Sequence, residues 1–390
     1  MKSASQKLKE RFGMEATTPK ADVIQHPAVA PAKFDIPTDV FAEVEDENAK
    51  AARAGAHAAL DRLKSECAVS QYGDFFCRGQ IGRRIEAINI ESEIGADYIR
   101  AVMKAATGKM PPKSEIDNIR AFMRMDARAA NRRASICQRI ASHGGARFID
   151  LGNSVGSCVR IGADDWEVVP NTAVPFVRGR GYGELPLPVP TATPRQAFKL
   201  VFDWLVSLGI KKSRAALVVV ALVAWMRTGN AFPLLLLYGP PGAGKTAAAL
   251  LIMLLIDPTD SLKLPNIQPD TEHIAAAAQH RHVLTFDNES KLSASEQDMF
   301  CTCSTGGEVV GRRLYSNGDI VTLPIHRPVL ITAVQPVVTR PDLMSRTIPV
   351  EFAPLETRRS EADILAEFLQ MRPALLGALC DLLVVGERHE

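Results

Sequence analysis

Gly239-Pro240-Pro241-Gly242-Ala243-Gly244-Lys245-Thr246 lies between the apolar run Pro233-Leu234-Leu235-Leu236-Leu237-Tyr238 and the stretch Ala247-Ala248-Ala249-Leu250-Leu251-Ile252-Met253-Leu254-Leu255. A buried strand, a glycine-rich turn and a helix, in that order, give the G-x-x-x-x-G-K-[ST] spacing its meaning. The glycines let the backbone curl so that successive N–H groups converge on a phosphate at the positive end of the helix. Gly239, Pro240, Pro241, Gly242, Ala243 and Gly244 then form the cradle. Lys245 reaches the β- and γ-phosphates, and the Thr246 hydroxyl ligates Mg²⁺. The stretch predicts an α/β fold around a nucleoside triphosphate site, with ATP and Mg²⁺ as cofactors.

Working downstream, His282-Val283-Leu284-Thr285-Phe286-Asp287-Asn288-Glu289 is an apolar run that ends in acid. Asp287 is placed to hold Mg²⁺ opposite Thr246. Asn288 stands where a water-polarising glutamate usually follows, so Glu289, one place late, is the candidate for that role. In Pro328-Val329-Leu330-Ile331-Thr332-Ala333-Val334-Gln335, Thr332 is the first candidate to contact the γ-phosphate or the lytic water, and Gln335 the second. In Thr339-Arg340-Pro341-Asp342-Leu343-Met344-Ser345-Arg346, Arg346 suits an arginine that reaches a neighbouring subunit's nucleotide. A local pair with Asp342 is the alternative. Between these stations, Asn317-Gly318 separates two strand-like runs and signals a β-hairpin. Arg312, Arg313 and Tyr315 precede that turn as candidate nucleic-acid contacts; an ordinary surface hairpin is the bland alternative.

Upstream the signals are weaker. Residues 1–55 mix Pro, Ala, Lys and Glu and read as a flexible tail. Residues 56–145 read as a mainly helical accessory region for nucleic-acid binding or oligomerisation, with helices at Ala51–Ala68, at Ile90–Ala106 and from Ser114 onward. Arg120, Arg124, Arg128 and Arg132 recur every fourth residue and stack on one helix face, either as a solvated surface or as a track for phosphates. Residues 146–185 read as a small β subdomain, 186–195 as a proline-rich linker, 196–355 as the ATPase core and 356–390 as a helical lid.

Composition bounds the rest. The 390 residues suggest more than one domain, and a net charge of +2 leaves polyanion binding to local clusters. The seven cysteines contain no C-x-x-C pair, which points away from zinc or a disulfide framework and toward a reduced, cytoplasmic setting. The start lacks an apolar signal core, and Ala215–Met226 is too short to span a bilayer, so no membrane partner is expected.

These stations resemble, from about Arg147 to Glu387, the phage- and mobile-element-associated AAA+ ATPases related to superfamily 3 helicases. The resemblance is carried by the phosphate loop and Phe286-Asp287-Asn288. It continues through Thr305-Gly306-Gly307, Arg312-Arg313-Leu314-Tyr315, Pro341-Asp342-Leu343-Met344-Ser345-Arg346 and Pro373-Ala374-Leu375-Leu376-Gly377-Ala378-Leu379. It implies an AAA+ core with a helical lid, assembly as a hexameric ring, and action on single-stranded or forked DNA. The activity implied is a helicase or helicase loader in replication of a phage, plasmid or integrated element, with a primase or initiator as possible partner. Asn288 and Ala333 depart from the paired acid and the sensor asparagine usual in superfamily 3. An oligomeric ATPase switch without translocation, as in phage defence, is the competing reading; a small-molecule kinase lacks a second substrate motif.

Overall fold

The computed structural model describes residues 45–171, 174–179, 181–265, 267–312, 320–354 and 359–388. Most of the expected tail lies outside them, but helix already runs from Glu45, ahead of the Ala51 start read from the sequence.

The amino-terminal unit is α1 (Glu45–Ser65), β1 (Cys67–Ser70), β2 (Phe75–Ile81), β3 (Arg84–Asn89), α2 (Glu93–Thr107), α3 (Lys113–Ala129) and β4 (Arg133–Ala134). Its sheet has the order β3-β2-β1-β4. The three helices expected within 56–145 are present, and a four-stranded sheet that the sequence did not signal accompanies them. Phe75 and Cys77 pack with Leu63, Ile99 and Met123, a period-two pattern that flanking helical signals obscured. Gly82, at φ 62°, turns β2 into β3. Ser92 caps α2 by accepting from the Gly95 N–H, and left-handed Gly108 ends it. α3 starts at Lys113, one residue before the Ser114 start read from the sequence, directly after Pro112 and with no side-chain cap.

β5 (Ile140–His143), β6 (Ala146–Asp150), β7 (Ser157–Ile161) and β8 (Trp166–Pro170) form an antiparallel meander. Within the expected β subdomain, Val174–Arg178 contributes a bridge between Phe176 and Cys137 and no strand. Pro175 has no N–H to donate, and the Asn171 side chain binds the Val174 N–H at 3.0 Å.

The remaining elements are α4 (Pro194–Ser207), α5 (Lys212–Trp225), β9 (Leu234–Tyr238), α6 (Lys245–Ile256), α7 (Thr271–Ala278), β10 (Leu284–Glu289) and α8 (Ala294–Thr305). They continue with β11 (Gly307–Arg312), β12 (Ile320–Ile325), β13 (Val329–Ala333), α9 (Pro341–Met344), β14 (Thr347–Glu351) and α10 (Glu361–Glu387). The central sheet has the order β10-β13-β9-β14, and every pairing in it is parallel. Leu234 to Leu237 are fully buried, as a parallel strand covered on both faces requires. β13 stands between β9 and β10, and the carboxyl ends of all three share one edge. This is an α/β fold of the phosphate-loop type.

One continuous core joins Ile149 and Val159 of the meander to Leu237, Ile252 and Leu379. The meander therefore shares its interior with the half that carries the phosphate loop. Arg139, fully buried, reaches Asp257 at the end of α6 at 3.2 Å and lies over the Tyr182 ring at 3.7 Å. Asp257 in turn accepts from the His282 and Val283 N–H groups at the entry to β10. The proline-rich stretch is extended but seated. The Val189 N–H donates to Pro373 O at 2.9 Å, and a Cβ on Gly377 would fall 1.8 Å from Val189 O. Among the described residues, α10 rather than Ala215–Met226 is the helix long and apolar enough to cross a membrane. Of its most apolar window, 61% is buried inside the protein.

Candidate nucleotide site

The loop leaves β9 at Gly239, where a Cβ would lie 2.4 Å from Phe352 O, and it turns through left-handed Gly242 and Gly244. Gly244 precedes the first residue of α6, so the helix's unpaired N–H groups open onto the loop. The Lys245 ammonium donates to Gly239 O at 2.8 Å and Pro240 O at 2.9 Å. Burial lowers the Lys245 pKa, opposed by the charge of Asp287.

The Thr246 hydroxyl donates to Asp287 Oδ1 at 2.9 Å, and the Thr332 hydroxyl donates to the same oxygen at 2.6 Å. Thr332 also accepts from the Asn288 N–H at 2.7 Å. The structure thus brings together Lys245, Thr246, Asp287 and Thr332 from three separate segments at the carboxyl edge of the sheet. Thr246 and Asp287 are oxygen donors of the kind Mg²⁺ takes in small number alongside substrate phosphates and water. They fit that ion, and among the described residues no cluster of three or more His, Cys, Asp or Glu competes for a metal.

Glu289 ends β10 with a raised pKa, through burial first and then the nearby Glu296 and Asp287 carboxylates. Gln335, the second candidate beside Thr332, lies beyond the end of β13.

Sequence reasoning missed the wall beside the loop. A cavity of about 510 Å³ is lined by the loop, Leu208, Gly209, Met371, and Trp204 stacked on Phe368 at 5.8 Å. An Arg359–Glu367 ion pair stands at its margin. Its size suits a nucleotide-scale ligand. The only signal was an aromatic residue in each of two helices, Trp204 and Phe368, 164 positions apart, which no local pattern pairs.

Arg346 is placed elsewhere. Thr347 pairs with Leu234 at the amino end of β9, whereas the phosphate loop leaves the other end at Tyr238. Four residues of strand, roughly 13 Å, separate the two ends. The Arg346 guanidinium donates to Asp342 O at 2.5 Å. β11 and β12 pair from Gly307↔Ile325 to Arg312↔Ile320, so the hairpin strands are present. Arg313 and Tyr315 lie outside the described residues.

The arginine series on α3 is occupied internally. Arg120 donates to Ile90 O at 2.6 Å and Ser92 O at 2.8 Å. Arg124 pairs with Glu91, and the Arg128 guanidinium lies 5.0 Å from the Phe75 ring centre. Arg132 falls beyond the helix and binds Cys67 O, Lys64 O and Asp126.

Residues 204–388 match the family model of the actinomycete integrative conjugative element replication protein. That match covers the phosphate loop, Asp287, Thr332, Arg346 and α10, and it supports the mobile-element replication reading made from sequence. Three solved structures are similar over 47% to 87% of the chain. The apo NrS-1 carboxyl-terminal region (305–718) has 11% identity over 87% of this chain and 74% of that one, with TM-score 0.40. The SCCmec type IV Cch active helicase has 14% identity over 80% and 63%, with TM-score 0.35. The JCV helicase, bound to a thiazolopyridine acetamide, has 13% identity over 47% and 53%, with TM-score 0.31. No curated protein matches the chain.

Proposed function

We propose that this chain is an ATP-hydrolysing AAA+ motor that acts on single-stranded or forked DNA during replication of a mobile element. The observation that carries the reading is the Thr246–Asp287–Thr332 cluster beneath the phosphate loop, with Arg346 at the far end of the same sheet. In this reading Lys245 and the loop N–H groups bind the phosphates. Trp204, Leu208 and Met371 cover the base, and Thr246 with Asp287 would hold Mg²⁺, which would supply positive charge against the phosphates. Glu289 orients the attacking water and takes its proton as the water oxygen bonds to the γ-phosphorus and the bond from that phosphorus to the ADP oxygen breaks.

An arginine remote from its own chain's loop can serve a neighbour's, so the reading includes assembly into a ring, taken as hexameric, with Arg346 acting between subunits. The β11–β12 hairpin, with Arg312 and Arg313, would grip the strand, while priming and origin recruitment belong to a separate primase or initiator in the cytoplasm. The test is ATP turnover and strand displacement on a forked DNA, each compared with Lys245→Ala. Turnover and displacement that both need Lys245 support the motor. Lys245-dependent turnover without displacement or movement along single strands leaves the non-translocating switch as the function.

A further inference from the structure

β10 and β13 run in register up to Phe286↔Ile331 and resume at Glu289↔Ala333. Three steps along β10 therefore match two along β13, which is one extra residue. That irregularity falls at Asp287-Asn288, and Asn288 has the left-handed φ of 61°. Asparagine is among the few residues besides glycine that adopt this conformation readily. In a strand without the extra residue, Asn288 would stand opposite Ala333. With it, Glu289 stands there instead.

The bulge is held from the neighbouring strand. The Thr332 hydroxyl accepts the Asn288 N–H at 2.7 Å and spends its own proton on Asp287 Oδ1 at 2.6 Å. A hydroxyl has one proton to donate and two lone pairs to accept with, so this pattern commits its single proton and one lone pair. One side chain thereby fixes both the carboxylate on one side of the bulge and the backbone within it.

We propose that the Asn288 bulge, pinned by Thr332, is the device that brings Glu289 one place forward to the register position from which it polarises water. Asn288 and Thr332 are positioning residues in this scheme, and it rests on the assignment of Glu289 proposed above. The departure from a paired acid is then compensated in backbone geometry: the acid comes late in sequence and on time in space. Bulges re-aim side chains beside active sites elsewhere.

The test uses the full chain and four variants, read by kcat and KM for ATP, affinity for a fluorescent non-hydrolysable ATP analogue with Mg²⁺, and melting temperature. Asn288→Val puts a β-branched residue where φ is positive. It should lower kcat about 10²-fold, as misplacement of a reacting group by an ångström does, with analogue affinity kept. Asn288→Gly tolerates the conformation and should stay within about threefold of wild type. Deleting Asn288 removes the bulge and makes Glu289 follow Asp287 directly; its kcat should exceed that of Asn288→Val by about tenfold or more. Glu289→Gln should lose about 10²–10⁴ in kcat.

Normal turnover in Asn288→Val, with Glu289→Gln inactive, overturns the bulge proposal and keeps the base. Wild-type turnover in Glu289→Gln removes the base itself. Equal losses of kcat, analogue binding and melting temperature in both Asn288 substitutions would make the bulge merely structural.

Discussion

The phosphate-loop edge and the α3 arginine face were both read from spacing, and the protein uses them in opposite ways. At the sheet edge, polar groups from three segments converge: Thr246 and Thr332 on one oxygen of Asp287, with Lys245 across the loop. On α3, the guanidinium groups are turned back onto the chain's own carbonyls, acids and an aromatic ring. A regular stripe shows only that side chains share a face. A site shows as chemistry drawn together from distant segments, as happens when Gly239–Thr246 meets Asp287.

The sharpest way to break this comparison is to remove one member of each region. Lys245→Ala should reduce ATP turnover by about 10²–10³-fold or more, because the ammonium stabilises charge that develops on the transferring phosphoryl group. Its melting temperature should stay close to wild type, since the ammonium binds only loop carbonyls. Residual turnover near wild type would remove the loop from the chemistry.

Next in size is Arg346→Ala. Its own backbone end of β14 lies against the amino end of β9, so it cannot serve its own loop. The variant should bind ATP normally and hydrolyse about 10²-fold more slowly or worse. Mixing it with Lys245→Ala subunits should recover part of the turnover, because some interfaces then join an intact loop to an intact arginine. Mixed assemblies with no recovery would assign Arg346 to the local Asp342 contact.

The α3 face should respond in stability rather than in activity. Arg120→Ala removes the donor to the Ile90 carbonyl and one of the two donors to the Ser92 carbonyl, which keeps the Ala96 N–H, and should cost about 1–3 kcal/mol, read by denaturant unfolding. ATP turnover and DNA affinity measured at a temperature where the variant is folded should not change. Lost DNA affinity in a folded Arg120→Ala protein would return this face to the phosphate-tracking role.

The fold was legible where chemistry is local. The parallel strand Leu234–Leu237, the loop and the acid at Asp287 follow from short-range pattern. Three things were not legible. β2 and β3 alternate for only a few residues between strong helical signals. The Arg139–Asp257 contact joins residues 118 positions apart, and the Trp204–Phe368 stack joins residues still farther apart. The bulge at Asn288 was half legible: the missing paired acid was visible, but only the register of β10 on β13 shows what the extra residue does.

The smallest expected effect concerns the second set of arginines. If Arg312 and Arg313 contact phosphates of a single strand, each contact releases counterions, and log affinity falls with log salt by about 0.7 per contact. The double change to alanine should therefore flatten that slope by about 1.4 units. Over a fourfold rise in salt this makes wild type lose about sevenfold more affinity than the variant. Basal ATP turnover should hold, because β11 and β12 pair outside the central sheet. The paired control is Arg120→Ala with Arg124→Ala, whose guanidinium groups are already committed within the chain. Its slope should match wild type. A flattened slope in the α3 pair and none in the hairpin pair would reverse the comparison and move the DNA track to the amino-terminal unit.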